Sequence, residues 1–205
     1  MNTFQEIPAS KSSLAKRKTH YGLAINDANY LTSRRVNGKK INCPYFVVWH
    51  CMIKRCYSKA FQEDSNTYKG CTVAADWLLF SNFKLWMEKQ DWQGKELDKD
   101  ILIQGNKIYS KDSCVFVCNA INNLFITRKA CRGATKLGVN IEKASGKFRA
   151  YCSDKGKTIS LGRHTSEDEA HEAYKKYKYK LIKGLALKQK EPLRSAMLNY
   201  VILEY

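Results

Sequence analysis

The sequence predicts an α+β protein in two parts, and two stretches of the chain support this prediction. Residues 97–125, LDKDILIQGNKIYSKDSCVFVCNAINNLF, have the pattern of a strand, a loop, a second strand and a short helix. Residues 137–183 contain three short runs typical of strands, separated by two tight turns and followed by an amphipathic helix. We therefore expect a strand–strand–helix unit in the first part and a three-stranded antiparallel sheet packed on one helix in the second.

In the first stretch, an alternating run predicts a short strand over Leu97–Ile101. A turn is expected at residues 104–106, and Cys114–Val117 predicts the second strand. Asn119 is predicted to cap a short helix that extends to Phe125.

The segments before this stretch are predicted to support it. Residues 1–18 are polar and basic, which predicts either a flexible arm or a frayed terminus. Residues 21–41 suit a small hairpin, Pro44 is expected to start a helix, and residues 57–70 predict a surface loop. A second helix, over residues 77–89, has aromatic residues that we assign to the core.

The last third begins with strands at residues 137–141, 147–152 and 158–162. Ser166 or Thr165 is predicted to cap the following helix, which has acidic residues in its first turn and lysines near its end. We expect Gly184 and Pro192 to end or weaken this helix, after which the C-terminal segment forms a strand or a short helix.

The charge of the chain indicates a polyanionic partner. It has 36 Lys and Arg against 19 Asp and Glu, a formal net charge of +17. Nucleic acid is the first partner to consider, and an anionic membrane surface is the alternative. The N-terminal residues lack the apolar core of a signal peptide and no run is long enough to span a bilayer, so we expect a cytoplasmic protein. Its eight cysteines are then expected to be reduced, mostly buried thiols rather than zinc ligands.

Metal-dependent hydrolysis of a phosphodiester is the chemistry that the first stretch suggests. Such a reaction needs a divalent cation and protein ligands that leave it open to phosphate. Mg²⁺ takes oxygen ligands, often only one or two from the protein. Asp98 on the strand and Asn122 on the helix are candidates for that pair, and alternation along the strand predicts that Asp100 faces the same way as Asp98.

Residues 97–124 resemble the catalytic unit of phage HNH endonucleases, the ββα-metal or His-Me finger nucleases. The resemblance implies a fold with Mg²⁺ or Mn²⁺ bound between strand and helix. It places Asp98 on the metal-binding Asp, Lys99 on the general-base His, Ser113 on the middle Asn, and Asn122 or Asn123 on the helix Asn. Lys99 and Ser113 depart from the family pattern. Lys99 would then stabilise phosphate charge while the metal alone activates water, or the site is weakened or inactive.

The C-terminal third resembles the Apetala2/ethylene-responsive-factor (ERF) DNA-binding domain, through LGVNIEKASGKFRAYC and ISLGRHTSEDEAHEAY. The resemblance implies a sheet that lies in the major groove of double-stranded DNA. Alternation predicts that Phe148, Ala150, Cys152, Ile159 and Leu161 face the helix. The predicted DNA-binding residues are Asn140, Lys147, Arg149, Tyr151, Ser153, Thr158, Ser160 and Arg163.

The two resemblances predict five segments. They are a basic flexible arm (1–20), an HNH-like domain (21–128), a basic linker (129–136), an Apetala2/ERF-like domain (137–190) and a C-terminal extension (191–205). The leading hypothesis is a phage-type, metal-dependent DNA endonuclease or nickase of homing-endonuclease character, acting in the cytoplasm of the host cell. The main rival is a DNA-binding protein, such as a repressor or phage-defence factor, that has the fold of such a nuclease without its activity. A third hypothesis, an RNA-binding module, is permitted by the charge alone.

Overall fold

A computed structural model of the chain describes residues 4–126 and 135–202. The chain divides into two units, residues 1–116 and 117–205, and the division falls inside one strand, Val115–Val117. This division is earlier in the chain than the predicted boundary. Most of the predicted linker, residues 129–136, lies outside the described residues, as does Cys131.

The first unit combines short helices with two-stranded sheets. In chain order it contains α1 (Lys11–Ala15), β1 (Ser33–Val36), β2 (Lys39–Asn42), α2 (Pro44–Tyr57), α3 (Lys59–Asp64), β3 (Thr72–Val73), α4 (Phe80–Met87), β4 (Glu96–Asp98), β5 (Ile108–Tyr109) and the start of β6 (Val115–Val117). Short 3₁₀ helices cover Asn66–Tyr68 and Ala75–Leu78. The strands pair as β1–β2, β3–β5 and β4–β6.

The predicted hairpin and the helix predicted at Pro44 are confirmed, and the second predicted helix is confirmed in part. β1 and β2 are antiparallel around a turn at Asn37-Gly38, and α2 begins at Pro44. The second helical segment is divided at Leu79, because Ile25 forms backbone hydrogen bonds to Leu78 and Phe80 at that point. The aromatic residues on these helices do form the core, as predicted. Its largest fully buried side chains include Trp49, Trp77, Phe80 and Phe83.

One prediction for the first unit is wrong. The polar segment predicted as a loop contains α3, whose N-terminus is capped by the Ser58 hydroxyl accepting a hydrogen bond from Phe61 N–H at 3.3 Å. The described part of the predicted flexible arm is held against the fold. Backbone bonds join it to Asn29 and Leu31, and the Arg17 guanidinium donates to nearby carbonyls, including that of Tyr30 at 2.7 Å.

In chain order, the second unit contains the end of β6, α5 (Asn119–Phe125), β7 (Val139–Ile141), β8 (Phe148–Asp154), β9 (Lys157–His164), α6 (Glu167–Ala186) and α7 (Leu193–Leu198). The antiparallel sheet β7-β8-β9 packs against α6, which confirms the predicted arrangement. Ser166 caps α6 by accepting from Glu169 N–H at 3.2 Å, as predicted.

Three details of the second unit differ from expectation. The N-cap of α5 is Cys118, so Asn119 is the first helical residue rather than the cap. α6 continues past Gly184 to Ala186, because Ile182 and Ala186 are buried and hold its last turns. Of the described C-terminal residues 197–202, expected to form a strand or a short helix, only Met197 and Leu198 are helical, as the end of α7, and residues 199–202 form neither. No helix within the described ranges has the length and apolar character needed to cross a lipid bilayer.

Candidate nucleic-acid interface

The two faces of the C-terminal sheet differ in character. The inner face has Val139, Ala150 and Cys152, all buried, and Phe148 and Leu161 pack at the edge of the same cluster. On the outer face, Asn140, Lys147, Arg149, Ser153, Thr158, Ser160 and Arg163 are exposed and Tyr151 is half-buried. The predicted faces are therefore confirmed for these residues, whereas Ile159, also predicted to face the helix, is only partly buried.

The register of the sheet brings three outer-face residues into one row. Asn140 on β7 lies opposite Arg149 on β8, and Arg149 lies opposite Arg163 on β9. Directly paired residues have side chains about 5 Å apart at Cβ. The row therefore presents an amide and two guanidinium groups side by side across the sheet.

Arg163 reaches the outer face because β9 contains a bulge. The register shifts between Arg149 and Tyr151, so that Tyr151 pairs with Ser160 and Arg149 with Arg163. Two residues, Leu161 and Gly162, therefore lie opposite Ala150 alone. Strict alternation from Ser160 would have turned Arg163 toward the helix. Gly162 has φ +108°, a conformation that favours glycine, and it lies within the bulge.

Glu142 fixes the orientation of one of the two arginines. Its carboxylate accepts a hydrogen bond from Arg163 Nη2 at 2.7 Å and another from the Ser145 hydroxyl at 2.6 Å. The bond from Ser145, and next the bond from Arg163, hold the pKa of Glu142 below its ordinary value. Arg149 forms no ion pair within the described residues, so its guanidinium is available to a ligand. Sequence patterns did not indicate the Glu142–Arg163 pair, because its partners are 21 residues apart.

Asp98 and Asp100 both form contacts with the backbone or side chains of the loop that follows β4. β4 ends at Asp98, because the Asp98 carboxylate accepts backbone hydrogen bonds from Asp100 at 2.7 Å and Ile101 at 2.8 Å and so turns the chain. The predicted strand over Leu97–Ile101 is therefore too long. Asp100 lies in the bend after the strand, so the alternation argument that placed it on the Asp98 face is wrong. Burial raises the pKa of the Asp98 carboxyl, and the two backbone bonds act in the opposite direction.

Lys99, expected at the position of the general base, is buried and held inside the loop that follows β4. Its ammonium group pairs with Asp100 and donates to the Asn106 carbonyl at 3.0 Å, while the Asn106 amide donates back to the Lys99 carbonyl at 2.8 Å. Only 5% of Lys99 is exposed. These contacts give Lys99 a structural role in closing the loop.

Ser113, Asn122 and Asn123 complete the predicted catalytic and metal set. Ser113 is buried, and its hydroxyl donates to the Ile108 carbonyl at 2.7 Å, which ties it to the backbone of β5. Asn122 and Asn123 lie on α5 in the second unit, where the Asn123 amide is hydrogen-bonded to Asn119. The predicted ligands are thus divided between the two units.

The pair of carboxylates in the first unit is a poor match for Mg²⁺. Asp98 uses one oxygen for two backbone N–H groups, and Asp100 faces the Lys99 ammonium, whose charge repels a cation. Among the residues that the structure describes, no three His, Cys, Asp or Glu side chains are grouped so as to hold a metal ion. The described cysteines are free thiols, five of them buried.

Replacing Lys99 with alanine is expected to destabilise the first unit by about 2–4 kcal/mol, because the change leaves a cavity and removes two hydrogen-bonded contacts. Lys111→Ala is the matched control, because Lys111 is an exposed lysine in the same unit. This substitution should change the free energy of unfolding by less than about 0.5 kcal/mol. Urea unfolding followed by tryptophan fluorescence measures both. Equal stability of the two variants would contradict the structural role of Lys99.

Comparisons of the chain with known protein families, with curated proteins and with solved structures find no match. The function is therefore inferred from the geometry of these residues.

Proposed function

We propose that this chain binds double-stranded DNA through the outer face of the sheet β7-β8-β9. The observation that carries the proposal is the row formed by Asn140, Arg149 and Arg163 across three paired strands. The apolar side of the sheet is occupied by α6, so the outer face is the one left for a ligand.

The chemistry of the row suits the edges of base pairs. Arginine binds the O6 and N7 atoms of guanine with two hydrogen bonds, and asparagine binds the N6 and N7 atoms of adenine in the same way. The major groove of B-form DNA is wide enough to admit strands, whereas the major groove of A-form RNA is too narrow for side chains to enter. This difference favours DNA over double-stranded RNA.

The charge of the whole chain supports the same partner. A formal net charge of +17 attracts phosphate backbones and accelerates encounter with them. Beside the central row, Lys147, Ser153, Thr158 and Ser160 are exposed and can donate hydrogen bonds to phosphate or to bases.

Single substitutions on this face test the proposal. We expect Arg149→Ala and Tyr151→Ala each to weaken binding of a fluorescently labelled DNA duplex by about 5- to 100-fold, because each removes a contact worth about 1–3 kcal/mol. The control is Lys190→Ala, which removes one positive charge from an exposed position in the same unit. Circular dichroism should show all three variants folded. Affinities that match the control in both variants would remove the sheet from the interface.

A second candidate is the metal-dependent endonuclease or nickase. It is favoured by the order of the elements along the chain, in which strand β4 is followed by strand β6 and then by helix α5. Asp98 ends β4, and Asn122 and Asn123 lie on α5. The burial of Lys99 and the contacts of Asp98 and Asp100 weigh against it and support a DNA-binding protein that does not cut.

Incubation with supercoiled DNA separates these two candidates. We expect the wild-type protein to bind the plasmid but not to nick it in Mg²⁺ or Mn²⁺, since the residue at the base position is held inside the fold. Asp98→Ala and Asn122→Ala variants distinguish intrinsic activity from a contaminating nuclease. Metal-dependent nicking that both substitutions abolish would establish the enzyme instead.

A further inference from the structure

The first unit contains an open pocket of about 450 Å³ that no predicted site explains. It lies between the segment that follows α1 and the chain leading into β1. Its lining includes Lys16, Arg17, Lys18, His20, Thr32 and Phe46. We call it the N-terminal pocket.

The described lining of the N-terminal pocket is cationic and has no carboxylate. Lys16 and Lys18 are exposed, and neither forms an ion pair within residues 4–126 and 135–202. Arg17, between them, is anchored by hydrogen bonds to backbone carbonyls, including those of Asn26 at 3.0 Å and Tyr30 at 2.7 Å. Arg17 thereby fixes the backbone from which both lysines project, and the pocket has unbalanced positive charge.

Two buried polar side chains, Asn26 and Thr32, form an ordered part of the lining. They are 9% and 8% exposed, respectively. The side-chain Oδ1 of Asn26 accepts from Ala28 N–H at 3.3 Å, and its side-chain Nδ2 donates to the Thr32 hydroxyl oxygen at 3.1 Å. The Thr32 hydroxyl therefore acts as an acceptor in that bond and retains its proton for donation to a ligand.

The other side of the pocket is apolar and aromatic. Leu31, Phe46 and His20 line it, and the His20 and Phe46 rings meet edge to face with centroids 5.7 Å apart. Its volume is within the range of sites for small organic ligands. The surface can accommodate a sugar or a base attached to a charged group.

We infer that the N-terminal pocket binds a phosphate group, with the ammonium groups of Lys16 and Lys18 and the Thr32 hydroxyl as donors. The phosphate belongs either to a DNA backbone or to a free nucleotide, and both have the same chemistry at the pocket. This inference goes beyond the proposed function, because the pocket is in the first unit and needs no contact with the C-terminal sheet.

Amide chemical shifts of the full-length ¹⁵N-labelled protein provide the test, at constant ionic strength. The probes are inorganic phosphate, deoxyadenosine monophosphate and a 16-base-pair duplex. We expect signals of Thr19, His20, Thr32 and Ser33 to move with at least one probe. The apparent affinity of the protein for that probe is obtained from the shifts of these four signals. It should fall about tenfold in the Lys16→Gln/Lys18→Gln variant, because two cationic contacts are lost. The matched control, Lys59→Gln/Lys69→Gln, removes the same charge from exposed positions elsewhere in the unit.

Each outcome decides the inference. Shifts caused by the duplex alone assign the pocket to backbone phosphate, whereas shifts caused by phosphate or nucleotide as well show that a free phosphate group is sufficient. Unmoved signals with every probe, or equal changes in the Lys16→Gln/Lys18→Gln protein and its control, would overturn it. Arg149→Ala should leave the response to inorganic phosphate unchanged, so failure of the pocket is distinguishable from failure of the C-terminal interface.

Discussion

Replacing Gly138 with alanine is expected to unfold the second unit at room temperature. A Cβ atom at this position would lie 2.2 Å from Cδ2 and 2.3 Å from Cγ of Tyr174, far inside van der Waals contact. Tyr174 is itself buried on α6, so its ring has little space to move away. Gly138 also has φ +79°, in the left-handed region. The clash and the backbone strain together cost about 3–6 kcal/mol, which is a large part of the stability of a small domain.

Gly146→Ala isolates the contribution of the clash. Gly146 has φ +67° in the turn between β7 and β8, and no atom lies within 4 Å of its ideal Cβ position. This control therefore carries only the backbone strain, about 1 kcal/mol. Thermal unfolding followed by far-ultraviolet circular dichroism measures both variants. Similar melting temperatures for the two proteins would show that Gly138 does not provide the close approach of the sheet to α6.

Replacing both Arg149 and Arg163 with alanine is expected to weaken binding to a DNA duplex by about 100-fold or more. The two side chains lie opposite each other on the exposed face, and each bidentate contact of this kind contributes about 1–3 kcal/mol. Their loss also removes two positive charges from the centre of the row.

The matched control for the double variant is Lys188→Ala/Lys190→Ala. Both lysines are exposed near the end of α6, so the control removes the same charge from the same unit without changing the sheet. Fluorescence anisotropy with a labelled duplex measures the affinities. We expect the control to lose less than about tenfold, as a change in general charge attraction does. Equal losses in the two double variants would assign the binding to net charge alone.

The C-terminal sheet and helix could be predicted because their signals are local. Tight turns between the strands, alternation along them and a capped amphipathic helix each occur within a few residues of the element that they specify. The two exposed turn residues Lys155 and Gly156 both have positive φ, as a two-residue hairpin turn requires. The same local signals gave the helix at Pro44 and the hairpin at Asn37-Gly38.

Other features depend on contacts between distant residues, and local patterns could not give them. The segment predicted as an arm is held by Arg17, whose partners are 9 to 13 residues away. Lys99 is hydrogen-bonded to Asn106 across a loop, and the sequence pattern did not indicate this contact. The bulge at Gly162 is visible only when β9 is paired with β8, although it determines which face Arg163 occupies. The candidate site was thus predictable in its strands but not in its exact register or in the burial of Lys99.

Binding of DNA by the C-terminal sheet is tested by the salt dependence of duplex affinity, measured for the wild-type protein and for Arg149→Ala/Arg163→Ala. Each phosphate contact changes the slope of log affinity against log salt by about −0.9. We predict a slope of about −4 or steeper for the wild-type protein, and a lower affinity at every salt concentration for the double variant, because the two arginines contact base edges. A flat dependence for the wild-type protein, or identical affinities and slopes for the two proteins, would contradict binding of DNA by the C-terminal sheet.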